Sequence, residues 1–317
     1  MFAIQRSSRN VSPLIRNYAA KLRNTITAGK PCDTKWQAFS SQHPLEPMFD
    51  IESFQKALSE HAKPIAQSLI KDGYYCTTTS FSMLPKMTIQ AMRQQSINLR
   101  EEGRLEQSWS ERIDSATGAV TRFDKEGVFA CEPDGGDYET APDLVTYMSV
   151  LLQTLPELLN ASCESENERE HVESFGLSVS SFNAKLAVTS PGGSVYPLHI
   201  DNPQGLSVGD TRKLTCILYL NPDYQEGDGG ELRIYHHIET DTTGNDAFVD
   251  VTPEGGRIVL FWSDEIPHEV LPTAPDADSS NDALDRWALT VWIPTDNLQT
   301  IHNPKSKFSS LGDNTFQ

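Results

Sequence analysis

The sequence predicts an α+β protein: a double-stranded β-helix (jelly-roll) core from the second half of the chain, supported by helices from the first. Two observations lead there. Apolar spacing is helical over much of residues 47–173. From residue 182 it gives way to about eight short strand-like runs, separated by turn clusters such as Pro191-Gly192-Gly193, Asp228-Gly229-Gly230 and Pro253-Glu254-Gly255-Gly256. With 317 residues, 38% of them hydrophobic, the chain can bury one sizeable core. No stretch approaches the ~18–20 continuous apolar residues of a membrane helix.

The elements follow in order. Phe54, Leu58, Ile65 and Leu69 form a helical stripe that stops at Asp72-Gly73. The Tyr- and Thr-rich segment 74–81 reads as a strand, and 85–102 as a second helix with Ile89, Met92 and Leu99 on one face. Segment 114–137 reads as a hairpin or long loop, turning at Ala116-Thr117-Gly118 and closed by Pro133-Asp134-Gly135-Gly136. A third helix is expected over 142–159, with Pro156 as a point of kinking or early termination. The acidic stretch 164–170 reads as a solvated loop. Strands are expected at 184–189, 196–201, 213–221, 231–236, 247–251, 257–262, 269–271 and 286–293. Segment 273–285, rich in Asp, Ser and Ala, reads as a flexible insertion. The expected organisation is a basic N-terminal extension (1–46), a helical support region with a hairpin (47–181), the jelly-roll core (182–296) and a tail (297–317).

Charge is unevenly spread. The net charge is −18, yet residues 1–32 carry Arg6, Arg9, Arg16, Lys21, Arg23 and Lys30 and no acid, so the remainder carries −18 − 6 = −24. An acidic surface repels phosphate backbones and argues against a nucleic-acid partner. The basic start, with Val11, Leu14, Tyr18 and Leu22 at helical spacing, has the texture of either an organelle transit peptide or a surface-docked helix. The expected location is accordingly cytoplasmic or nuclear, or an organelle matrix if 1–32 is a leader. The five cysteines are odd in number, widely spaced and without a CxxC, as expected of reduced thiols.

The chemistry starts at His199-Ile200-Asp201. In a strand, residues i and i+2 project to one face, so imidazole and carboxylate point into the same interior. A lone His-x-Asp occurs often by chance. His268, at the start of a later strand, gains meaning if sheet closure returns it to the first pair. Two imidazoles and one carboxylate then make a facial set with open coordination positions, the donor pattern of non-haem iron(II) oxygenases. Arg286 opens the last strand, on one face with Ala288, Thr290 and Trp292. A guanidinium pointing into a barrel needs an anion, and a dicarboxylate cosubstrate would supply one for a bidentate grip. An edge-strand arginine facing solvent is the plainer alternative.

Together these residues resemble the 2-oxoglutarate/iron(II) dioxygenase superfamily, in its prolyl 4-hydroxylase branch, nearest to hypoxia-inducible-factor prolyl hydroxylases. The resemblance spans about 65–292 and rests on ordered motifs: His199-Ile200-Asp201-Asn202-Pro203, Leu214-Thr215-Cys216-Ile217-Leu218-Tyr219-Leu220-Asn221 and Gly229-Gly230-Glu231-Leu232-Arg233-Ile234. It continues through Phe261-Trp262-Ser263-Asp264, Pro267-His268-Glu269-Val270 and the strand from Arg286 to Trp292. Thr121-Arg122-Phe123-Asp124-Lys125 is similar to the loop with which that family holds substrate.

The resemblance implies Fe(II) on His199, Asp201 and His268, with Arg286 binding the distal carboxylate of 2-oxoglutarate. It implies that Tyr219 supports that carboxylate and that Thr290 and Leu232 line the cosubstrate pocket. Tyr196 and Trp292 would lie near the substrate entrance, with Arg122 on the substrate side. It further implies O2 as second cosubstrate, ascorbate as reductant, a proline-containing protein or peptide as substrate, and a turnover that follows oxygen supply. Oxygenases of the same fold acting on another side chain or a small molecule, and a non-catalytic metal- or 2-oxoglutarate-binding module, are the competing expectations. Two departures stand out. Ser190 occupies the place of the family's tyrosine before the Pro-Gly turn, and 273–285 lengthens the gap between His268 and Arg286.

Overall fold

The computed structural model describes residues 47–78, 82–113, 120–163, 175–193, 195–203, 205, 209–235, 248–274 and 282–301. Helix α1 (Ile51–Asp72) starts where the Asp50 side chain accepts a hydrogen bond from Ser53 N–H, and ends at Gly73, whose φ of 79° suits only a residue without a side-chain clash. The stripe read from sequence is the buried one: Phe54, Leu58, Ile65 and Leu69, joined by Ala62 and Ala66. Helix α2 (Lys86–Glu101) buries Ile89, Met92 and Leu99. Helix α3 (Pro142–Cys163) continues past Pro156 and beyond the expected end. At the crossing of α2 and α3, Asp143 accepts from Gln95 Nε2 (2.8 Å) and from the amides of Met48 and Phe49, which satisfies a fully buried carboxylate.

Eleven strands form among the described residues: β1 (Tyr74–Cys76), β2 (Glu106–Ile113), β3 (Val120–Cys131), β4 (Asn183–Thr189), β5 (Tyr196–His199), β6 (Arg212–Tyr219), β7 (Leu232–Tyr235), β8 (Phe248–Val251), β9 (Ile258–Trp262), β10 (His268–Val270) and β11 (Arg286–Pro294). They make two sheets, a seven-stranded one in the order β1-β9-β6-β11-β4-β3-β2 and a four-stranded one in the order β5-β10-β7-β8. Every pairing is antiparallel. This is the double-sheet jelly roll that the sequence predicts. Strands β6 and β9 are buried along almost their whole length, and the large sheet packs against helices, α1 on β1 and β9 and α3 on β11. The large sheet takes β1, β2 and β3 from before residue 182, so it extends into the segment expected to be mainly helical support.

Three expectations shift. Of the two forms expected over 114–137, hairpin or long loop, the hairpin is found, but it starts earlier, since β3 (120–131) pairs with β2 (106–113); the Ala116-Thr117-Gly118 turn lies outside the described residues. Both ends of 273–285 are tied down. Ala274 N–H donates to Asp228 (2.7 Å), and buried Asp285 accepts from Arg100 at 2.7 Å. The described part of the tail includes a short 3-10 turn, Leu298–Thr300. The basic extension 1–46 and the loop 164–170 lie outside the described residues. No helix among the described residues is long and apolar enough to cross a membrane.

Candidate active site

His199 ends β5 and His268 begins β10, and the two strands pair with these residues opposite one another. Their rings lie 4.3 Å apart, centroid to centroid. Asp201 Oδ1 is 3.6 Å from His199 Nε2 and 3.7 Å from His268 Nε2. One ligand atom from each of the three side chains falls within 4.8 Å of the others. The three residues predicted from sequence therefore converge.

Hydrogen bonds fix how each side chain is presented. His199 Nδ1 lies 2.7 Å from the Pro197 carbonyl and His268 Nδ1 lies 3.0 Å from the Ile266 carbonyl. A carbonyl only accepts, so each Nδ1 carries the proton and each Nε2 turns a lone pair toward Asp201. Burial, reinforced by neighbouring His199, pushes the His268 imidazole down to about 4, which keeps it neutral near pH 7. On Asp201, Oδ2 accepts from Thr215 Oγ1 (2.7 Å) and Trp292 Nε1 (2.9 Å), leaving Oδ1 to face the imidazoles. Burial pulls the Asp201 carboxyl upward, but the flanking imidazoles and the Trp292 bond outweigh it and hold the group well below the usual carboxylate range. Its main chain is pinned as well, with Arg212 Nη2 donating to the Asp201 carbonyl at 2.6 Å. Two neutral nitrogen lone pairs and an anionic oxygen aimed at one point repel each other unless a cation sits between them. The donor set therefore fits a divalent metal.

Arg286 begins β11 and is 7% exposed. Its Nε donates to the Gly230 carbonyl (2.7 Å), and its Nη2 to the Tyr219 hydroxyl (3.4 Å). Among the described residues it forms no ion pair with a carboxylate. Gly230 is required here: its φ is +74°, and a Cβ would meet Arg286 Cδ at 2.7 Å. A buried guanidinium, steered by a carbonyl and a phenol but unpaired, fits an anionic ligand.

The other predicted residues fall as follows. Tyr219, fully buried, lies beneath Arg286. Thr290, half-buried, pairs with Ile217 and Lys185 on the neighbouring strands. Leu232 is buried and pairs with Val270 of β10. Tyr196 starts β5, with the Lys125 ammonium 3.8 Å from its ring centroid. Trp292 reaches the converging set itself through its bond to Asp201. Arg122 is exposed on the β2–β3 hairpin and stacks on Trp109, 4.0 Å from its ring; it joins none of the triad. Thr189, rather than Ser190, pairs across from Arg286.

Sequence reasoning assigned no role to Arg212, Gly230, Ser263 or Thr215 in orienting these groups. Ser263 Oγ sits 2.7 Å from Thr215 Oγ1 and completes the support beneath Asp201. The only signal was that Thr215 shares a strand face with Tyr219.

A sequence model described as the 2OG-Fe(II) oxygenase superfamily matches residues 184–294. Over 111 residues, 34% of this chain, the sequence is 38% identical to Egl nine homolog 1 of Rattus norvegicus, and the match spans 27% of that protein's length. The fold is similar to that of a Pseudomonas putida prolyl-4-hydroxylase, with a TM-score of 0.52 and 24% identity over 74% of this chain and 100% of the other. It is also similar to a Trichoplax adhaerens prolyl hydroxylase in complex with a hypoxia inducible factor oxygen degradation domain peptide fragment, with a TM-score of 0.53 and 23% identity over 80% of this chain and 97% of that one. The matched segment contains both sheets' site strands, all three converging ligands and Arg286. Residues 184–294 are therefore similar to the 2OG-Fe(II) oxygenase superfamily, and the likeness takes in the whole candidate site.

Proposed function

We propose that the protein is an iron(II)- and 2-oxoglutarate-dependent dioxygenase that hydroxylates prolyl residues in a protein or peptide, with ascorbate as supporting reductant. His199, Asp201 and His268 hold the metal, and Arg286 with Tyr219 holds the distal carboxylate of 2-oxoglutarate. The observation that carries this reading is the pairing of a converging His-Asp-His set with a buried arginine that lacks a carboxylate partner. When bound, iron and 2-oxoglutarate supply the oxidative chemistry: O2 is consumed, 2-oxoglutarate leaves as succinate and CO2, and one oxygen atom enters a C–H bond.

The chain's own contribution is positioning. The Pro197 and Ile266 carbonyls hold the imidazoles in the tautomer that offers Nε2. Thr215 and Trp292 occupy one carboxylate oxygen, so Asp201 binds through the other. Leu232, Thr290 and Tyr219 wall the cosubstrate and keep water from it, while Tyr196 and the β2–β3 hairpin, including Arg122, face the incoming substrate.

The test is anaerobic absorption spectroscopy with Fe(II), adding 2-oxoglutarate. A visible charge-transfer band is expected in the wild type, absent in His268→Ala, and shifted to much higher 2-oxoglutarate in Arg286→Ala. No band in the wild type at saturation would defeat the assignment. Mass spectrometry of reacted peptides then asks whether the added oxygen resides on proline.

A further inference from the structure

Two lysines stand where the proposed chemistry does not need them. Lys185, on β4, pairs with Thr290 of β11. By the two-residue period of the strand it faces the same interior as Thr290 and Trp292, toward the metal ligands. Lys125 comes from β3, where the chain bends close over the following turn: a Cβ on Gly127 would lie 2.9 Å from Gly193 Cα. Both ammonium groups reach the Tyr196 ring, Lys125 at 3.8 Å from its centroid and Lys185 at 6.0 Å. Neither forms an ion pair or donates a side-chain hydrogen bond among the described residues, although the chain as a whole carries a net charge of −18. Burial, together with the neighbouring Lys185, pushes Lys125 down to about 8; burial lowers Lys185 as well, with Asp201 and Glu132 offsetting part of that shift without pairing to it. Two partly buried like charges beside one another are unfavourable unless an anion joins them.

The cosubstrate already has an unpaired buried cation in Arg286 and a metal site for its other end. Lys125, by contrast, belongs to a hairpin whose Trp109 and Phe123 are 47% and 48% exposed, a surface suited to an extended ligand rather than a small acid. We infer that Lys125 and Lys185 form a carboxylate-recognition subsite around Tyr196, which selects peptide substrates carrying an acidic residue near the residue to be hydroxylated. The inference rests on the peptide-oxygenase reading above and adds the class of sequence it prefers.

The experiment is equilibrium binding of a degenerate peptide library with one fixed proline to the full chain loaded with Mn(II) and 2-oxoglutarate without O2. Bound peptides should be enriched in Asp or Glu at one or two fixed offsets from the proline. Changing that residue to Asn or Gln should weaken binding about tenfold, the scale of a partly desolvated charge pair. The double variant Lys125→Met/Lys185→Met should lose the preference, and Lys125→Glu/Lys185→Glu should turn it toward Lys and Arg, with thermal melts confirming that each variant is folded. No acidic enrichment, no peptide binding, or a preference that survives in both variants overturns the inference. So does a double variant that loses 2-oxoglutarate affinity as strongly as peptide affinity, since the lysines would then serve the cosubstrate. The 2-oxoglutarate absorption band reads the oxygenase assignment separately.

Discussion

His199 and His268 hang from short strands of the four-stranded sheet, each ring steered by a carbonyl two residues behind it. Arg286 and Tyr219 belong instead to long strands in the middle of the seven-stranded sheet, with their side chains inside the core. His199 sits at the lip of the fold, its side chain 34% exposed, while His268 is tucked beneath it, 4% exposed. The second group is part of the packing that holds the fold together. A metal centre can be altered at the lip with little strain on the core, whereas the anion anchor occupies space that the core must fill. Function and stability should therefore separate at one end of the site and mix at the other.

The largest expected effect is at the lip. Asp201→Ala removes the sole anionic donor of the converging set. Metal binding, read by competition with a chromophoric chelator, should fall by at least about a hundredfold, and succinate release with it. The melting temperature without metal should stay close to that of the wild type. A large drop in stability would mean that Asp201 is a structural hub, and the contrast between the two ends would fail.

Arg286→Met probes the other end. Affinity for 2-oxoglutarate should fall by about 2–5 kcal/mol, the usual consequence of truncating one partner of a buried charge pair. The free protein should melt at an unchanged or higher temperature, since a buried cation without a carboxylate partner is replaced by an apolar chain of similar reach. A clear loss of stability would show that Gly230 and Tyr219 alone satisfy the guanidinium.

A third effect comes from protonation. His268 has an ordinary value of 6.5 and is pushed down to about 4 by burial and His199. A depressed imidazole means that the unfolded chain takes up a proton first as pH falls. Stability is thus intact above pH 6.5, declines between about 6.5 and about 4, and flattens below, with a total of roughly 3 kcal/mol. Urea melts of chelator-treated protein across that window should show the slope, and His268→Gln should remove it. An equal slope in the variant would assign it to another group.

What the sequence revealed about this contrast depended on range. The His199–Asp201 pair was legible because a two-residue strand period forces both side chains to one face, and Arg286 because a charge on an inward face needs a reason. Strand ends after residue 182 came within one or two residues, since turn glycines and prolines mark them locally, whereas the strand expected over 74–81 stops at Cys76. The bond from Thr215 to Asp201 was not legible, because it depends on how two sheets stack, between residues fourteen positions apart. The β2–β3 segment read as a hairpin or long loop, and its first strand went unmarked because exposed Trp109 and Phe123 break the apolar alternation that burial would impose. Helix α3 was expected to yield at Pro156, yet Leu155 and Leu159 are fully buried on either side of it, and that packing outweighs the lost backbone bond. Gly230 read as a turn residue, and its carbonyl's role follows only from where β11 begins.

The smallest effect tests whether the lip is as independent of the core as its position suggests. Thr215 lies on buried β6 of the large sheet, yet its hydroxyl donates to Asp201 Oδ2, so it is one of the points where core and lip touch. Thr215→Val keeps the shape and removes the donor. Trp292 Nε1 still holds Oδ2, and Arg212 still holds the Asp201 carbonyl, so the carboxylate loosens without swinging free. Metal affinity should fall about tenfold, at the low end for loss of a hydrogen bond supporting a ligand. Ser263 also loses its hydroxyl partner, and the double variant Thr215→Val/Ser263→Ala should restore stability without restoring affinity. If the single variant binds metal as tightly as the wild type, Arg212 and Trp292 suffice to present Asp201, and the Thr215 hydroxyl adds nothing to the lip.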